Sequence, residues 1–271
     1  MRRRFFVDSF PSGAAALRGD TAEHLGRVLR AEPGQLYELS DGNTVWLARI
    51  ERVVRAKSGK SQIDFALVEN IPSHEAGPNL HLLLSIVKFD RFEWCLEKAT
   101  ELGVTQITPL AAARTDKPLL MAAARRHARW EKILLESAQQ ARRLRVPAIG
   151  SPVRPADAFA QSDAGLKLLL SERREAQPLR DAISLLGGRS ISSDMQAGKG
   201  ERALAPEVDF SVQAKRATAV LAIGPEGGWT EAEIAAARGS GFVEASLGEN
   251  ILRTETAVIA ALAILRFALE T

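Results

Sequence analysis

The stretch LHLLLSIV, residues 80–87, limits the fold more than any other part of the chain. A strand with one wet face alternates apolar and polar residues, whereas an almost unbroken apolar run requires cover on both faces. Such strands belong to parallel sheets with helices on either side. The flanking sequence supplies those helices. Phe92, Cys95, Leu96, Ala99 and Leu102 recur at three- and four-residue spacing and stop at Gly103, the pattern of an amphipathic helix closed by glycine. VTQITPL (104–110), LKLLL (166–170), TAVLAI (218–223) and FVEASL (242–247) read as further strands. A long helix is predicted over 122–144, with Trp130, Ile133, Leu134, Ala138 and Ala141 on its apolar stripe. This alternation predicts an α/β domain built on a parallel sheet.

Residues 1–72 have a different texture. LYEL, TVWLARIE and QIDFALVE are short β-type segments, and Ser40–Asn43 supplies a hairpin turn between the first two. One helix is predicted over TAEHLGRVLR, residues 21–30. Several short strands and one small helix suggest a compact β-barrel. The Pro-, Gly- and Ser-rich segment 69–79 marks the boundary, so the second domain is expected to run from 78 to 271. Within it, residues 187–217 lack periodicity and are expected to form a mobile surface insertion.

Composition narrows the function classes. The chain has 271 residues, 46% hydrophobic and 25% charged, as in soluble globular proteins. Its one cysteine, Cys95, excludes an internal disulfide framework and fits a reducing, cytoplasmic setting. The start MRRRFFVDSF lacks an apolar core of signal-peptide length. The longest apolar run, AVIAALAIL, is about half of what a membrane span needs. Four histidines without ligand spacing argue for no catalytic metal. The net charge is only +3, yet arginines cluster at 2–4, 27 and 30, 125–129 and 142–145. The planar guanidinium suits phosphate, although a solvated helix face explains each cluster alone equally well.

Two loops stand out. IGPEGGWTEAE (223–233) joins a strand to a helix, and Thr230 with Glu233 forms a capping box at the helix start. Glycines there let backbone approach a ligand, or simply make a turn. One strand–helix unit later, LGENILRTETA (247–257) repeats the arrangement, so two glycine-containing loops can face one pocket at the carboxyl ends of the strands. Neither loop is a Walker motif or a GxGxxG dinucleotide fingerprint.

IGPEGGWTEAEI and LGENILRTETAVIAAL resemble the signatures of the small-subunit ribosomal RNA methyltransferase E family. HLGRVLR (24–30), LEKATELGVTQITPL (96–110) and RWEKILLESAQQARRLRVP (129–147) resemble further family segments in the same order. Departures are Phe89 and Arg142, where the family often has glycine, and Glu97, where it often has glutamine. The resemblance implies a PUA-like barrel followed by a SPOUT-type domain with a parallel sheet and a trefoil knot. It implies transfer of methyl from S-adenosylmethionine to N3 of a uridine in small-subunit ribosomal RNA, free or within the small ribosomal subunit. It also implies a homodimer, consistent with a final helix, Ala257–Ala268, that is apolar nearly all round.

On this resemblance, Leu170, Ile223, Gly224, Pro225, Glu226, Gly227, Gly228, Leu247, Gly248, Ile251, Leu252 and Thr256 are the expected cofactor residues. Glu255 is the expected proton acceptor, Arg253 the stabiliser of developing negative charge, and Glu226 an alternative acid. RNA contacts are expected from Arg2, Arg3, Arg4, His24, Arg27, Arg30, Lys88 and Arg143. Two other classes stay open on residues alone: an NAD-dependent oxidoreductase, and a non-catalytic RNA-binding protein with the same fold.

Overall fold

The computed structural model describes residues 3–55, 61–72, 77–187 and 218–269. The chain forms two compact units, and both are discontinuous in sequence. The first gathers Met1–Ala76, Glu93–Thr105 and Arg125–Ile149, and the second gathers Gly77–Phe92, Gln106–Ala124 and Gly150–Thr271.

The first unit carries a curled five-stranded sheet made from β1 (Arg4–Phe6), β2 (Ala14–Arg18), β3 (Leu36–Ser40), β4 (Val45–Val54) and β5 (Gln62–Ile71). Its order is β1-β3-β4-β5-β2, with β1 parallel to β3 and the other pairs antiparallel. The three strands expected from sequence are present. The two edge strands are additions, one too short and the other too rich in alanine to show a β pattern. The turn at Ser40–Asn43 forms as its residues dictate: Asp41 Oδ1 accepts from Asn43 N at 2.9 Å and Thr44 N at 2.7 Å, and Gly42 takes φ +85°. Phe5, Leu25, Leu39, Ile50, Ile63 and Phe65 fill the interior of this sheet.

The expected helix over 21–30 is only partly α-helical. α1 covers Gly19–Glu23, and a wide π-helical turn follows at His24–Val28, where Leu29 N donates to His24 O at 3.2 Å. Arg30 then leaves the helix in the left-handed region at φ 51°. Leu25 is thereby fully buried, with Gly26 against Val53 and Ile63.

Two long helices follow in the chain, α2 (Phe89–Glu101) and α3 (Lys117–Gln140). Phe92, Cys95, Leu96 and Ala99 of α2 are fully buried, and Gly103 ends the helix at φ +91°. α3 starts and stops about four residues earlier than its apolar stripe suggests. The stop lies at Arg142, a non-glycine residue at φ 54°. A left-handed C-terminal residue is ordinarily glycine. Trp130, Leu134 and Ala138 are buried as expected, while Ala141, past the helix end, is exposed.

A seven-stranded sheet is made from β6 (Asn79–Ser85), β7 (Gln106–Leu110), β8 (Ala148–Ile149), β9 (Leu166–Leu170), β10 (Gln177–Pro178), β11 (Thr218–Ile223) and β12 (Val243–Ser246). The sheet order is β10-β12-β9-β11-β6-β7-β8, and the pairings from β10 through to β7 are all parallel. Both faces are covered, as the apolar run at β6 requires. Leu83, Leu169, Val220 and Ala222 pack on one side with residues of α4 (Pro155–Gln161) and α6 (Glu231–Gly239). The alternate positions Leu82, Leu84, Leu168 and Leu221 are equally buried, and α5 (Leu179–Gly187) and α7 (Thr254–Leu269) lie against β9 and β11. Residues 188–217 of the expected insertion fall outside the described residues.

Candidate functional site

β12, β9 and β11 are consecutive neighbours in the parallel sheet, so their carboxyl ends, Ser246, Leu170 and Ile223, emerge side by side. Loops leaving such ends are where open α/β sheets build ligand sites. Here they wall a pocket of about 240 Å³. From β11 come Ile223, Gly224, Pro225, Glu226, Gly228 and Trp229. From β12 come Ser246, Leu247, Gly248, Asn250, Ile251, Leu252 and Arg253, and the end of β9 supplies Leu170, Ser171 and Glu172.

Most residues expected from sequence to meet a cofactor therefore share one cavity. Gly227 and Thr256 do not line it. Gly227 turns outward: its carbonyl accepts from Arg114 Nη1 at 2.7 Å, and a Cβ on it would sit 3.3 Å from Arg114 Cβ. Thr256 is exposed on α7. The glycines that matter for room are the other two. A Cβ on Gly224 would lie 3.0 Å from the Trp229 ring, and one on Gly228, already at φ +68°, would lie 2.7 Å from Glu172 Oε1. Gly224 is thus crowded by the indole, and Gly228 is favoured by its left-handed backbone, since the Glu172 carboxylate can swing aside.

Trp229, Glu172 and Asn250 were not singled out from sequence. Trp229 fixes the loop: its indole Nε1 donates to Leu170 O at 2.8 Å and its ring meets Phe159 edge-on at 5.9 Å. The predicted capping box forms, with Thr230 N donating to Glu233 Oε2 at 2.8 Å. Glu233 also accepts from Ala113 N at 2.8 Å, which ties the start of α6 to the loop after β7. On the other side of the pocket Gly248 adopts φ +127°, and Ser246 Oγ donates to its carbonyl at 3.0 Å.

The two expected acid–base residues separate. Arg253 lines the pocket and is exposed. Glu255, in the first turn of α7, is not itself in the lining but stands between Thr254 and Ala257, which are, with its side chain 18% exposed. Its Oε2 is buried without a hydrogen-bond partner. Arg91, in the first turn of α2, stands between the two acids of the site. Its Nη1 pairs with Glu226 Oε1, and its Nε lies 4.0 Å from Glu255 Oε1. Nothing local in KFDRFEW signals this role, because both partners lie far along the chain.

Two of the expected RNA-binding arginines are engaged inside the fold. Arg4 is 8% exposed; its Nε and Nη2 donate to Glu38 Oε2 at 3.1 and 2.9 Å, and its Nη1 to Arg142 O at 2.6 Å. Arg143 caps the end of α2, donating to the carbonyls of Thr100, Gly103 and Val104. Each guanidinium spends N–H donors on protein oxygens, which reduces what it can offer a phosphate. Arg3, His24, Arg27, Arg30 and Lys88 are exposed, Arg27 forming a 2.6 Å pair with Glu23. Arg27 and Arg30 do not share one face of a regular helix, because the π turn and the left-handed Arg30 intervene. Arg2 lies outside the described residues.

Burial holds His81 of β6 neutral by pushing its pKa down to about 4, and its Nε2 sits 2.8 Å from Thr108 Oγ1. Among the described residues no group of three or more His, Cys, Asp or Glu side chains could hold a metal ion, and no helix is long and apolar enough to cross a membrane.

A parallel α/β sheet with a glycine-walled pocket at its carboxyl ends defines a class. Residues 74–266 match the family model of the RNA methyltransferase domain. The chain is 31% identical over 250 residues to the ribosomal RNA small subunit methyltransferase E of Synechocystis sp., covering 92% of this chain and 71% of the relative. It is 29% identical to that of Mesomycoplasma hyopneumoniae, covering 94% and 95% respectively. The chain belongs to the ribosomal RNA small subunit methyltransferase E family. Among solved structures, that of the family member from Neisseria gonorrhoeae, bound to S-adenosylmethionine, matches with a TM-score of 0.75 and 28% identity over 98% of both chains. A putative methyltransferase from Legionella pneumophila, also holding S-adenosylmethionine, matches with a TM-score of 0.76 and 29% identity over 99% of this chain and 98% of that one.

Proposed function

We propose that this chain transfers a methyl group from S-adenosylmethionine to N3 of a uridine in small-subunit ribosomal RNA. The observation that carries the reading is the pocket between β9, β11 and β12, whose β11 loop is tight against Trp229 at Gly224 and left-handed at Gly228. Two structural relatives bind S-adenosylmethionine, and the donor set here suits it. Backbone groups of the two glycine loops approach polar atoms, while Leu247, Ile251 and Leu252 offer an apolar wall for an adenine ring.

The bound sulfonium supplies an activated methyl group; the protein positions the two reactants for in-line displacement. Uracil N3 must lose a proton to attack. Glu255 accepts it, and Arg253 at the rim stabilises the negative charge that develops on the base. Glu226, already held by Arg91, is the weaker candidate for the acceptor. Residues 1–72 serve RNA, with Arg3, His24, Arg27 and Arg30 as its exposed cations, and residues 78–271 serve methyl transfer, with a trefoil knot forming around the cofactor loops. Ile264 at 40% and Phe267 at 85% exposure on α7 support a homodimer that covers them. The setting is cytoplasmic, where ribosomal RNA is made and assembled.

The test is direct. Calorimetry should show S-adenosylmethionine binding, and nucleoside mapping of small-subunit RNA treated with the enzyme should show one new N3-methyluridine. Binding of RNA with no cofactor heat would instead mark a non-catalytic RNA-binding protein.

A further inference from the structure

Five charged side chains line the pocket or belong to the ion pairs at its edge: Glu172, Glu226 and Arg253 in its wall, with Glu255 and Arg91 in the pairs. Three carboxylates against two guanidiniums leave one negative charge. Arg114 lies beyond them and is engaged with the outward carbonyl of Gly227. Arg91 is the member shared between two acids, closely paired with Glu226 and at 4.0 Å from Glu255. It cannot saturate both, and the buried Oε2 of Glu255 is left without a partner.

We infer that Arg91 is a positioning residue whose charge cancels one of these two acids, leaving a single carboxylate to match the sulfonium of the methyl donor. The inference rests on the methyl-transfer reading above. The reaction then proceeds at constant local charge. The N3–H bond breaks and the proton goes to Glu255, which becomes neutral. The electron pair on N3 forms the new bond to the methyl carbon. The S–CH3 bond breaks with its pair going to sulfur, so the sulfonium becomes a neutral thioether. The one uncompensated anion and the one cation disappear together, and no charge is stranded in a half-closed site where it would be poorly solvated.

A different charge at position 91 must therefore change how the site ranks the cationic donor against its neutral thioether product. Arg91→Met keeps length and removes charge, making the pocket more negative. The affinity ratio favouring S-adenosylmethionine over S-adenosylhomocysteine, measured by calorimetry, should rise about fivefold, the size expected for one charge acting through a partly wet site. Turnover should fall, because loss of the sulfonium charge is then opposed. Glu226→Gln should move the ratio the opposite way, and Arg91→Lys should leave it as in wild type. A purely structural Arg91 would weaken both ligands equally in Arg91→Met and leave the ratio unchanged, which would overturn the inference. If the unaltered protein binds neither ligand, the methyl-transfer reading fails first and this inference with it. If it binds both and only the ratio refuses to move, the reading survives and the role given to Arg91 does not.

Discussion

Two of the arginine–carboxylate clusters in this molecule use the same chemistry to opposite ends. In the first unit Glu38, 2% exposed, is gripped by Arg4 and Arg142, and the guanidinium of Arg4 also takes the carbonyl of Arg142. Every charge there has its partners, and two cations serve one anion. In the second unit the ratio is inverted: Arg91 alone faces Glu226 and Glu255, at the edge of a pocket, and one carboxylate oxygen is unsatisfied. Saturated clusters hold a fold in place. An unsatisfied one keeps capacity for something that arrives later.

Glu38→Gln is the most damaging way to probe this difference. It leaves the buried Arg4 guanidinium without a counter-charge, which should cost about 3 kcal/mol of stability, read as a lower urea midpoint. An unchanged midpoint would mean that the cluster is not structural. Gly224→Val probes the other region. It should reduce S-adenosylmethionine affinity more than tenfold by placing methyl groups against Trp229 at the pocket wall, with a smaller loss of stability than Glu38→Gln. If the two variants lose stability and affinity in the same proportions, the distinction between fold and site collapses.

His81 sharpens the comparison from a third side, since it copes with burial by staying neutral and not by pairing. Its folded pKa of about 4 lies below the ordinary 6.5, so the unfolded chain takes up the proton first. The contribution of neutral His81 is complete above about pH 6.5 and is lost as pH falls toward 4. His81→Gln should flatten the pH dependence of the urea midpoint across that window. The smallest expected effect concerns arginines that neither cluster has claimed. Replacing Arg27 and Arg30 with alanine should weaken RNA binding modestly and reduce its salt slope by about 2, one per lost phosphate contact. The same slope in the variant and the parent would remove RNA from that surface.

What was legible in the sequence was local. The apolar run at β6 carried the parallel sheet, and the glycines with the Thr230–Glu233 box placed the loop between a strand end and a helix start. What escaped needed distance. Arg91 meets its two acids only because α2, the β11 loop and α7 converge, and no spacing within KFDRFEW encodes that. The clustered arginines stayed ambiguous for a related reason: a guanidinium satisfies a carboxylate or a helix-end carbonyl as well as a phosphate. Arg4 and Arg143 had found protein oxygens. The π turn at His24–Val28 was hidden because its residues have ordinary helical patterning, and packing of Leu25 and Gly26 overrode it.

The contact between Gly224 and Trp229 has an evolutionary consequence. Because the indole fills the space beside the bare backbone, the size of residue 224 is limited by residue 229. Alanine at 224 presses on the indole and is accommodated more easily where 229 carries a slimmer residue, which gives up the hydrogen bond to Leu170. A side chain at 224 should therefore be found mainly together with a slimmer residue at 229, and an engineered library that randomises 224 while holding Trp229 fixed should be enriched in glycine there.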